Sequence, residues 1–386
     1  MPTPNRRIAI NFGGGFVPGL NAVIAGASRA AHELGWEVIG IRDGFDGLIF
    51  PERYGDRALI PIQGDVFERL SNSASDALGT ADRSDPFNVR VEDDDGILSE
   101  QDRSDELLKA ISHHRIDAVV SIVGQRSLSI LWKLANKGLN TVAVPKSIYN
   151  DMAATDLSFG FDSALAFATE ALDRARLAAK ATRQIAVVEV PGDYAGWLAL
   201  QSGTAVCADA ILIPEIPYDI KKVAERLEVN VHSGATSALI VVAEGAKPLS
   251  SQEKTSAAIS EDAFRSSLSP SASGQSGSQV INRSGQAAKS VALDLQRLTH
   301  QETSPLVLGN LVRCGAPTAA DRQLGLSYGA AAIRAIEMEK SGVMVSFQPP
   351  ELEFVPLMSC INRVRTVPTD SVFMQVARAL GISLGD

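Results

Sequence analysis

The chain of 386 residues has few features of a disulfide-linked, metal-bound or membrane protein. It contains only three cysteines, Cys207, Cys314 and Cys360, which are far apart and show no C-x-x-C spacing. A disulfide framework or a zinc site is therefore not expected, and a reducing compartment fits best. No run of about 18 apolar residues occurs, and no apolar segment precedes the first predicted strand, so we expect neither a membrane-spanning helix nor a secretory signal. These absences predict a cytoplasmic protein.

Positive charge is also in short supply. The 36 Lys and Arg residues are outnumbered by 45 Asp and Glu residues, which gives a net charge of -9 and a pI near 5.2. This balance argues against nucleic acid or an anionic membrane as a partner, but it allows a local basic pocket for a small phosphorylated molecule. The histidines show no spacing typical of metal ligands, so we predict no metal site from them.

Strands and helices alternate along the chain. A strand, a glycine-rich loop, a helix and a second strand follow one another from "IAINF" to "EVIGI", and the run "IDAVVSIVG" reads as a parallel strand covered on both faces. The length is too great for one compact core. The length fits two domains or one large α/β unit, and the pattern predicts an α/β fold built on parallel sheets.

The chain is predicted to contain two domains and one insertion. We place the first domain at residues 1–150, completed by about 305–345, and the second at 151–247 together with 287–304 and the C-terminal segment. Residues 248–286 are rich in Ser, Gly and Gln and poor in large apolar side chains. Such a segment cannot bury enough apolar surface to offset its chain entropy, so it is predicted to be a flexible insertion.

Two glycine-containing loops follow predicted strands. In "GGGFVPG", Gly14 and Gly15 could let a phosphate approach the backbone at a helix start, although the loop is neither G-x-G-x-x-G nor a Walker A motif. In "VGQRS", Gly124, Arg126 and Ser127 could contact a phosphate. The alternatives are a tight turn for the first loop, and for the second an ordinary strand-to-helix connection with Ser127 as the helix N-cap.

Three further strand ends carry polar side chains. In "KSIYND", Lys146 and Ser147 could hold a phosphoryl group, and Asp151 could bind Mg²⁺ or orient a hydroxyl. Glu244 could accept hydrogen bonds from sugar hydroxyls, and Arg313 suits a bidentate phosphate contact. Because ligands of such folds bind at the carboxyl ends of parallel strands, these residues predict a site for a phosphorylated small molecule. The alternative is a polar loop rim.

These motifs, in their order and spacing, resemble the phosphofructokinase family over nearly the whole chain. The similarity is carried by "RIAINFGGGFVPGLNAVIAGASRAA", "GIRDGFDGL", "TDLSFGFDSALAFATEALDRAR", "VVEVPG", "AILIPE" and "VRCGAPTAADR". The resemblance implies two Rossmann-like parallel α/β domains, with a nucleotide on the N-terminal one and a sugar phosphate in the cleft. It also implies assembly into dimers or tetramers.

Several motif positions depart from the family pattern. Phe16 replaces the acidic residue of G-G-D-x-P-G-x-N, and Gln125 replaces the Asp of G-G-D-G-S that is linked to Mg²⁺. In the T-I-D-N-D loop, Tyr149 stands where the first Asp accepts the proton of the sugar hydroxyl. The arginine of M-G-R is Asp193. These changes remove the base, a metal-linked carboxylate and a substrate-binding cation.

Other positions carry over from the family. Ser147 and Asp151 match the catalytic loop, and Glu244 and Arg313 match residues that contact the sugar phosphate. Arg183 lies one place from a family arginine. Lys146 is like the lysine of pyrophosphate-using members, which also keep the Asp that is Gln125 here.

Three hypotheses follow. The first is a pseudoenzyme related to glycolysis, which binds a ligand or regulates as a homo-oligomer or beside an active paralogue, with no certain cofactor. The second is an active sugar-phosphate kinase with an altered donor or acceptor, in which Asp151 is the base and Mg²⁺ with ATP or pyrophosphate takes part. The third is a scaffold without a ligand, in which the 248–286 insertion recruits a partner.

Overall fold

The computed structural model describes residues 5–62, 77–81, 84–92, 98–232, 234–249 and 285–386. Most of the predicted 248–286 insertion therefore lies outside the described residues. Among the helices of the described ranges, none is long and apolar enough to span a membrane.

The regular elements are numbered in chain order. The strands are β1 (Arg7–Gly13), β2 (Glu37–Ile41), β3 (Leu59–Pro61), β4 (Val89–Glu92), β5 (Leu98–Gln101), β6 (Ala118–Val123), β7 (Thr141–Pro145), β8 (Ile185–Val190), β9 (Ala210–Leu212), β10 (Ala238–Ala243), β11 (Thr303–Val307), β12 (Val343–Gln348) and β13 (Glu351–Pro356). The helices are α1 (Leu20–Glu33), α2 (Asp46–Ile49), α3 (Pro51–Tyr54), α4 (Ser104–His113), α5 (Gln125–Asn136), α6 (Phe161–Thr182), α7 (Trp197–Ala205), α8 (Ile220–His232), α9 (Gln286–Thr299), α10 (Ala319–Glu337) and α11 (Val372–Ala379).

The chain divides into two compact units. The first consists of Met1–Ser147, Met152–Gly160 and Cys314–Arg363, and the second of Ile148–Asp151, Phe161–Arg313 and Val364–Asp386. We expected the chain to return to the first domain near residue 305. It returns at Cys314, because β11 pairs with β8 and the following 3₁₀ turn also belongs to the second unit.

The first unit is built on a seven-stranded sheet in the order β13-β12-β7-β6-β1-β2-β3. The central strands are parallel, and every residue of β6 is buried. Leu107 of α4 and Leu128 and Leu131 of α5 pack on alternate strand residues of one face. This arrangement places the carboxyl ends of β1, β6 and β7 at one edge of the sheet.

Helices α1 and α10 of this unit pack closely against each other through small residues. A Cβ atom at Gly26 would lie 2.2 Å from the carbonyl oxygen of Leu326, and one at Gly329 would lie 2.1 Å from that of Val23. Any larger residue at either position would push the helices apart. The glycines of "IAGAS" and "SYGAA" are therefore required by packing.

The second unit contains a four-stranded parallel sheet in the order β11-β8-β10-β9. Its core joins buried side chains of these strands to α8 and α9, including Val223, Leu227 and Leu295. The carboxylate of Glu189 in β8 accepts hydrogen bonds from the backbone N–H groups of Gly285 (2.5 Å) and Ala288 (2.9 Å). This buried charge caps the start of α9.

The sheet of the first unit also has antiparallel strands at its two edges, which were not predicted. Strand β3 runs antiparallel to β2, and β13 runs antiparallel to β12. The late extended segment "VSFQPPELEFVPL" forms the β12–β13 hairpin, and two residues can connect only antiparallel neighbours. A separate antiparallel pair, β4 with β5, was not predicted.

Candidate functional site

The predicted site residues fall into two groups. Gly14, Gly15, Gly124, Arg126, Ser127, Lys146 and Ser147 belong to the first unit, and Tyr149, Asp151, Arg183, Asp193, Glu244 and Arg313 belong to the second.

The glycine loop after β1 has a backbone that requires glycine at two positions. Gly14 has φ of 81°, and its N–H donates to the carbonyl of Ala81 at 3.3 Å. Gly19 has φ of 96°, directly before α1, and a Cβ atom there would lie 3.1 Å from the Phe159 ring. A left-handed conformation is strained for residues with a side chain. The loop is thus a tight, fixed connection between β1 and α1.

Lys146 ties this loop to the end of β7. Its side chain is buried, and its ammonium group donates to the carbonyl oxygens of Gly14 (3.1 Å) and Gly15. Its backbone N–H donates to the carbonyl of Val123 at the end of β6, at 3.0 Å. One residue therefore connects the carboxyl ends of three neighbouring strands. The ammonium group brings positive charge to the place where sequence predicted phosphate contacts.

In the second loop, the helix begins before Ser127, so the alternative in which Ser127 is the N-cap is wrong. Helix α5 starts at Gln125, with Gly124 in an extended conformation before it. Ser127 thus lies within the first turn and is not the N-cap, and its hydroxyl adjoins Gly13. Arg126 is exposed. The structure brings Gly124, Ser127 and Lys146 to the same strand ends.

Gln125 is anchored to a distant part of the first unit. Its side-chain amide donates to the carbonyl of Cys360 at 2.8 Å, and its buried Oε1 atom has no hydrogen-bond partner among the described residues. The side chain is neutral. A Mg²⁺ ion commonly takes one or two carboxylates together with phosphate oxygens, and this loop offers none. The residues of the loop therefore do not fit a carboxylate-bound Mg²⁺ ion.

Within the described part of the chain, no group of three or more His, Cys, Asp and Glu side chains is arranged to hold a metal ion.

In the second unit, Tyr149 and Arg313 form a direct pair. The Nη2 atom of Arg313 donates to the phenol oxygen of Tyr149 at 2.7 Å, and its guanidinium carbon lies 5.3 Å from the centre of the ring. The Nε atom of Arg313 donates to Oδ1 of Asn310 at 3.3 Å. Arg313 is the last residue of the 3₁₀ turn Gly309–Arg313, which follows β11. The predicted phosphate-binding arginine and the residue at the base position therefore contact each other.

The surroundings keep this tyrosine protonated. Burial raises the pKa of Tyr149 above its ordinary value, and the negative charges of Asp151, Glu244 and Asp193 raise it further, whereas the Arg313 guanidinium lowers it. A neutral phenol at pH 7 is a poor general base. The hydroxyl therefore experiences the positive charge of Arg313 and the negative charges of three carboxylates.

The loops of Asp193 and Glu244 touch each other. Asp193 follows the end of β8 and Glu244 the end of β10, and the N–H of Gly245 donates to the carbonyl of Gly192 at 2.9 Å. A Cβ atom at Gly245 would lie 1.9 Å from the carbonyl oxygen of Asp193. Both acidic side chains are partly exposed. Neighbouring strand ends thus bring Asp193 and Glu244 together.

Arg183 lies at the other end of this sheet. It follows α6 and precedes β8, it has φ of 57°, and it is exposed. The structure therefore does not bring Arg183 to Tyr149, Glu244 and Arg313 within its own unit. The physical reason is that the amino and carboxyl ends of a strand lie at opposite edges of the sheet.

Sequence reasoning missed a support for the loop that carries Tyr149. The N–H of Arg365 donates to the carbonyl of Asp151 at 2.9 Å, and its Nη1 atom donates to that of Asn150 at 3.3 Å. The Arg365 guanidinium lies 4.3 Å from the centre of the Trp197 ring, and Nε1 of Trp197 donates to the carbonyl of Arg365 at 2.8 Å. The residues in contact are far apart in the sequence, so no local motif predicts the contacts.

Comparisons with known proteins bear on this arrangement. A family model described as phosphofructokinase matches residues 7–336. The chain is 37% identical over 386 residues to an ATP-dependent 6-phosphofructokinase of Chloroflexus aurantiacus, covering 100% of this chain and 99% of that one. It is 34% identical over 388 residues to ATP-dependent 6-phosphofructokinase 2 of Clostridium perfringens, covering 100% of both.

A solved structure agrees in fold. The pyrophosphate-dependent phosphofructokinase from Nitrosospira multiformis superposes with a TM-score of 0.75 over 99% of this chain and 93% of that one, at 18% identity. At that identity the likeness concerns the fold alone. The family resemblance and the α/β fold predicted from the sequence are confirmed by these comparisons. The chain belongs to the phosphofructokinase family.

Proposed function

We propose that this family member binds a phosphorylated small molecule but transfers phosphoryl groups poorly, and that it acts as a ligand-binding or regulatory subunit. The observation that carries this proposal is Tyr149. It stands at the base position, its hydroxyl is paired with Arg313, and its pKa is raised by burial. General-base help is commonly worth about 10²–10⁴-fold in rate.

A second change supports the same proposal. Phosphoryl transfer depends on compensation of the phosphate charge by metal ions and cations. Gln125 stands where the family has its metal-linked Asp, and its amide is engaged with Cys360. Loss of metal-linked stabilisation adds to the loss of the base, because the two groups act on different charges in the transition state.

An active ATP- or pyrophosphate-dependent 6-phosphofructokinase is the second candidate. The names of the relatives favour this candidate, since ATP-dependent 6-phosphofructokinases match the chain over its full length. Asp151 supplies a carboxylate on the same loop as Tyr149. In this candidate Asp151 takes the proton, Arg313 holds a phosphate, and Mg²⁺ would have to be held without a carboxylate from the Gln125 loop.

The experiment is a turnover assay on the purified full chain with fructose 6-phosphate, Mg²⁺, and either ATP or pyrophosphate. Turnover of about 1–100 s⁻¹, the range usual for kinases, would establish the second candidate. A rate at least 100-fold lower supports the first. Asp151→Asn is the diagnostic variant, because only Asp151 is assigned a proton. Asp173→Asn is the control, because Asp173 is an exposed aspartate of α6 in the same unit.

Binding is measured separately by thermal unfolding with fructose 6-phosphate, ATP or pyrophosphate. A ligand that binds the folded state stabilises it by about 2.7 kcal/mol at 100 times its Kd. We expect at least one of these compounds to raise the unfolding temperature. No shift with any of them at millimolar concentration would contradict the ligand-binding role and favour a scaffold that uses the 248–286 insertion.

A further inference from the structure

The contacts of Arg313 resemble those that this side chain would make to an anion. The guanidinium group offers its N–H donors in forks that match two oxygens of a phosphate or carboxylate. Nε and Nη2 are the two donors of one fork. In this chain Nε donates to Oδ1 of Asn310 and Nη2 donates to the phenol oxygen of Tyr149.

We propose that Tyr149 is a specificity-determining residue that occupies Arg313 in place of a phosphate oxygen, and so lowers affinity for phosphorylated sugars relative to uncharged sugars. This inference rests on the proposed function in one respect, since it concerns the ligand of the same site. It goes beyond the absence of a base, because it concerns binding and not proton transfer.

The Tyr149 hydroxyl and a phosphate compete for the Nε–Nη2 fork of Arg313. A phosphate that binds bidentately at this fork must displace the Tyr149 hydroxyl from Nη2, whose hydrogen bond at 2.7 Å is a short one to a charged donor. Asp151, Asp193 and Glu244 act on the same hydroxyl and carry charge of the sign that repels phosphate. An uncharged sugar does not need to displace the Tyr149 hydroxyl and is not repelled by the carboxylates. Its hydroxyl groups can donate hydrogen bonds to them.

The test measures binding without a phosphoryl donor. Fructose 6-phosphate and fructose are titrated by calorimetry into the wild type, Tyr149→Phe, Arg313→Ala and the double variant. Tyr218→Phe is the matched control, because Tyr218 is another buried tyrosine of the second unit and makes no contact with Arg313 in the described structure. Circular dichroism establishes that each variant is folded.

The expected result is a gain of about tenfold or more in affinity of Tyr149→Phe for fructose 6-phosphate, the low end for a hydrogen bond to a charged group. Its affinity for fructose should not change, and Tyr218→Phe should behave as the wild type. The gain should vanish in the Arg313→Ala background, which identifies Arg313 as the group released.

Three outcomes would overturn the inference. These are an unchanged or weaker affinity of Tyr149→Phe for fructose 6-phosphate, an equal gain for fructose, and a gain that persists without Arg313. Failure of the proposed function looks different. It would appear as rapid turnover of the wild type in the presence of a donor, which leaves the binding comparison intact.

Discussion

Replacement of Arg365 by alanine tests how strongly the loop Ile148–Asp151 depends on the C-terminal segment. The substitution removes the hydrogen bond from Nη1 to Asn150 and the stacking on Trp197. The backbone bonds between Arg365 and Asp151 and between Trp197 and Arg365 remain available. The variant therefore removes the side-chain part of the support and leaves the backbone part.

The structure sets the size of the effect. A guanidinium group over an indole ring contributes about 0.5–2 kcal/mol. A hydrogen bond to a charged donor contributes about 1.5–3 kcal/mol, and the 3.3 Å separation places this one at the lower end. Together they predict a loss of about 2–3 kcal/mol of local stability in Arg365→Ala. Arg365→Lys should lose about half of this, because it keeps the charge but not the planar stacking.

Hydrogen exchange of the peptide that covers residues 147–152 measures this local stability directly. A loss of 2–3 kcal/mol corresponds to exchange faster by about 30- to 150-fold. Arg363→Ala is the matched control, because Arg363 is an exposed arginine two residues earlier in the chain. Equal exchange of this peptide in Arg365→Ala and Arg363→Ala would refute the assignment of Arg365 as a positioning residue.

Three further predictions concern two buried glutamates, Glu189 and Glu215, and the predicted base position, Tyr149. Glu189→Ala should lower the free energy of unfolding by about 3 kcal/mol, because it leaves two backbone N–H groups at the start of α9 without their acceptor; urea unfolding measures this, with the exposed Glu225→Ala as control, and equal losses in the two variants would contradict it. Tyr149→Asp should raise the rate of fructose 6-phosphate phosphorylation with ATP and Mg²⁺ by about 10²-fold or more, and an unchanged rate in the folded variant would sink the assignment of Tyr149 to the base position. Burial raises the pKa of Glu215, so the folded state releases this proton at higher pH than the unfolded state does. Its contribution to stability should therefore fall as pH rises from the ordinary carboxyl pKa through the raised one, and Glu215→Gln should abolish that part of the pH dependence in thermal unfolding.

The interior of both sheets could be predicted from sequence, but their edges could not. Strands β6 and β10 are buried along their whole length, and an unbroken apolar run is the pattern that a covered parallel strand requires. The residues of β3 are only partly buried or exposed, and β5 carries Ser, Glu and Gln. Such short polar strands are fixed by their pairing partner and not by their own composition.

The site shows a similar division. The loops of the candidate site could be predicted to lie together, because strand ends meet at one edge of a parallel sheet. The partners of the side chains could not, because many of them are backbone carbonyls. Lys146 bonds to Gly14, and Gln125 bonds to Cys360, which lies 235 positions away. Because every residue has a backbone carbonyl group, no sequence motif indicates which carbonyl a side chain will contact.

The two altered motif residues Gln125 and Tyr149 are each held by a specific hydrogen bond. Gln125 and Tyr149 differ from the family pattern, yet the side chain of each makes a specific hydrogen bond within its own unit, to Cys360 and to Arg313 respectively. Each bond restricts a side chain and so has an entropic cost that its energy must offset. The substitutions therefore hold the loops in defined conformations. Defined loops at the ends of parallel strands are what ligand binding requires, and this favours a retained binding role over a scaffold without a ligand.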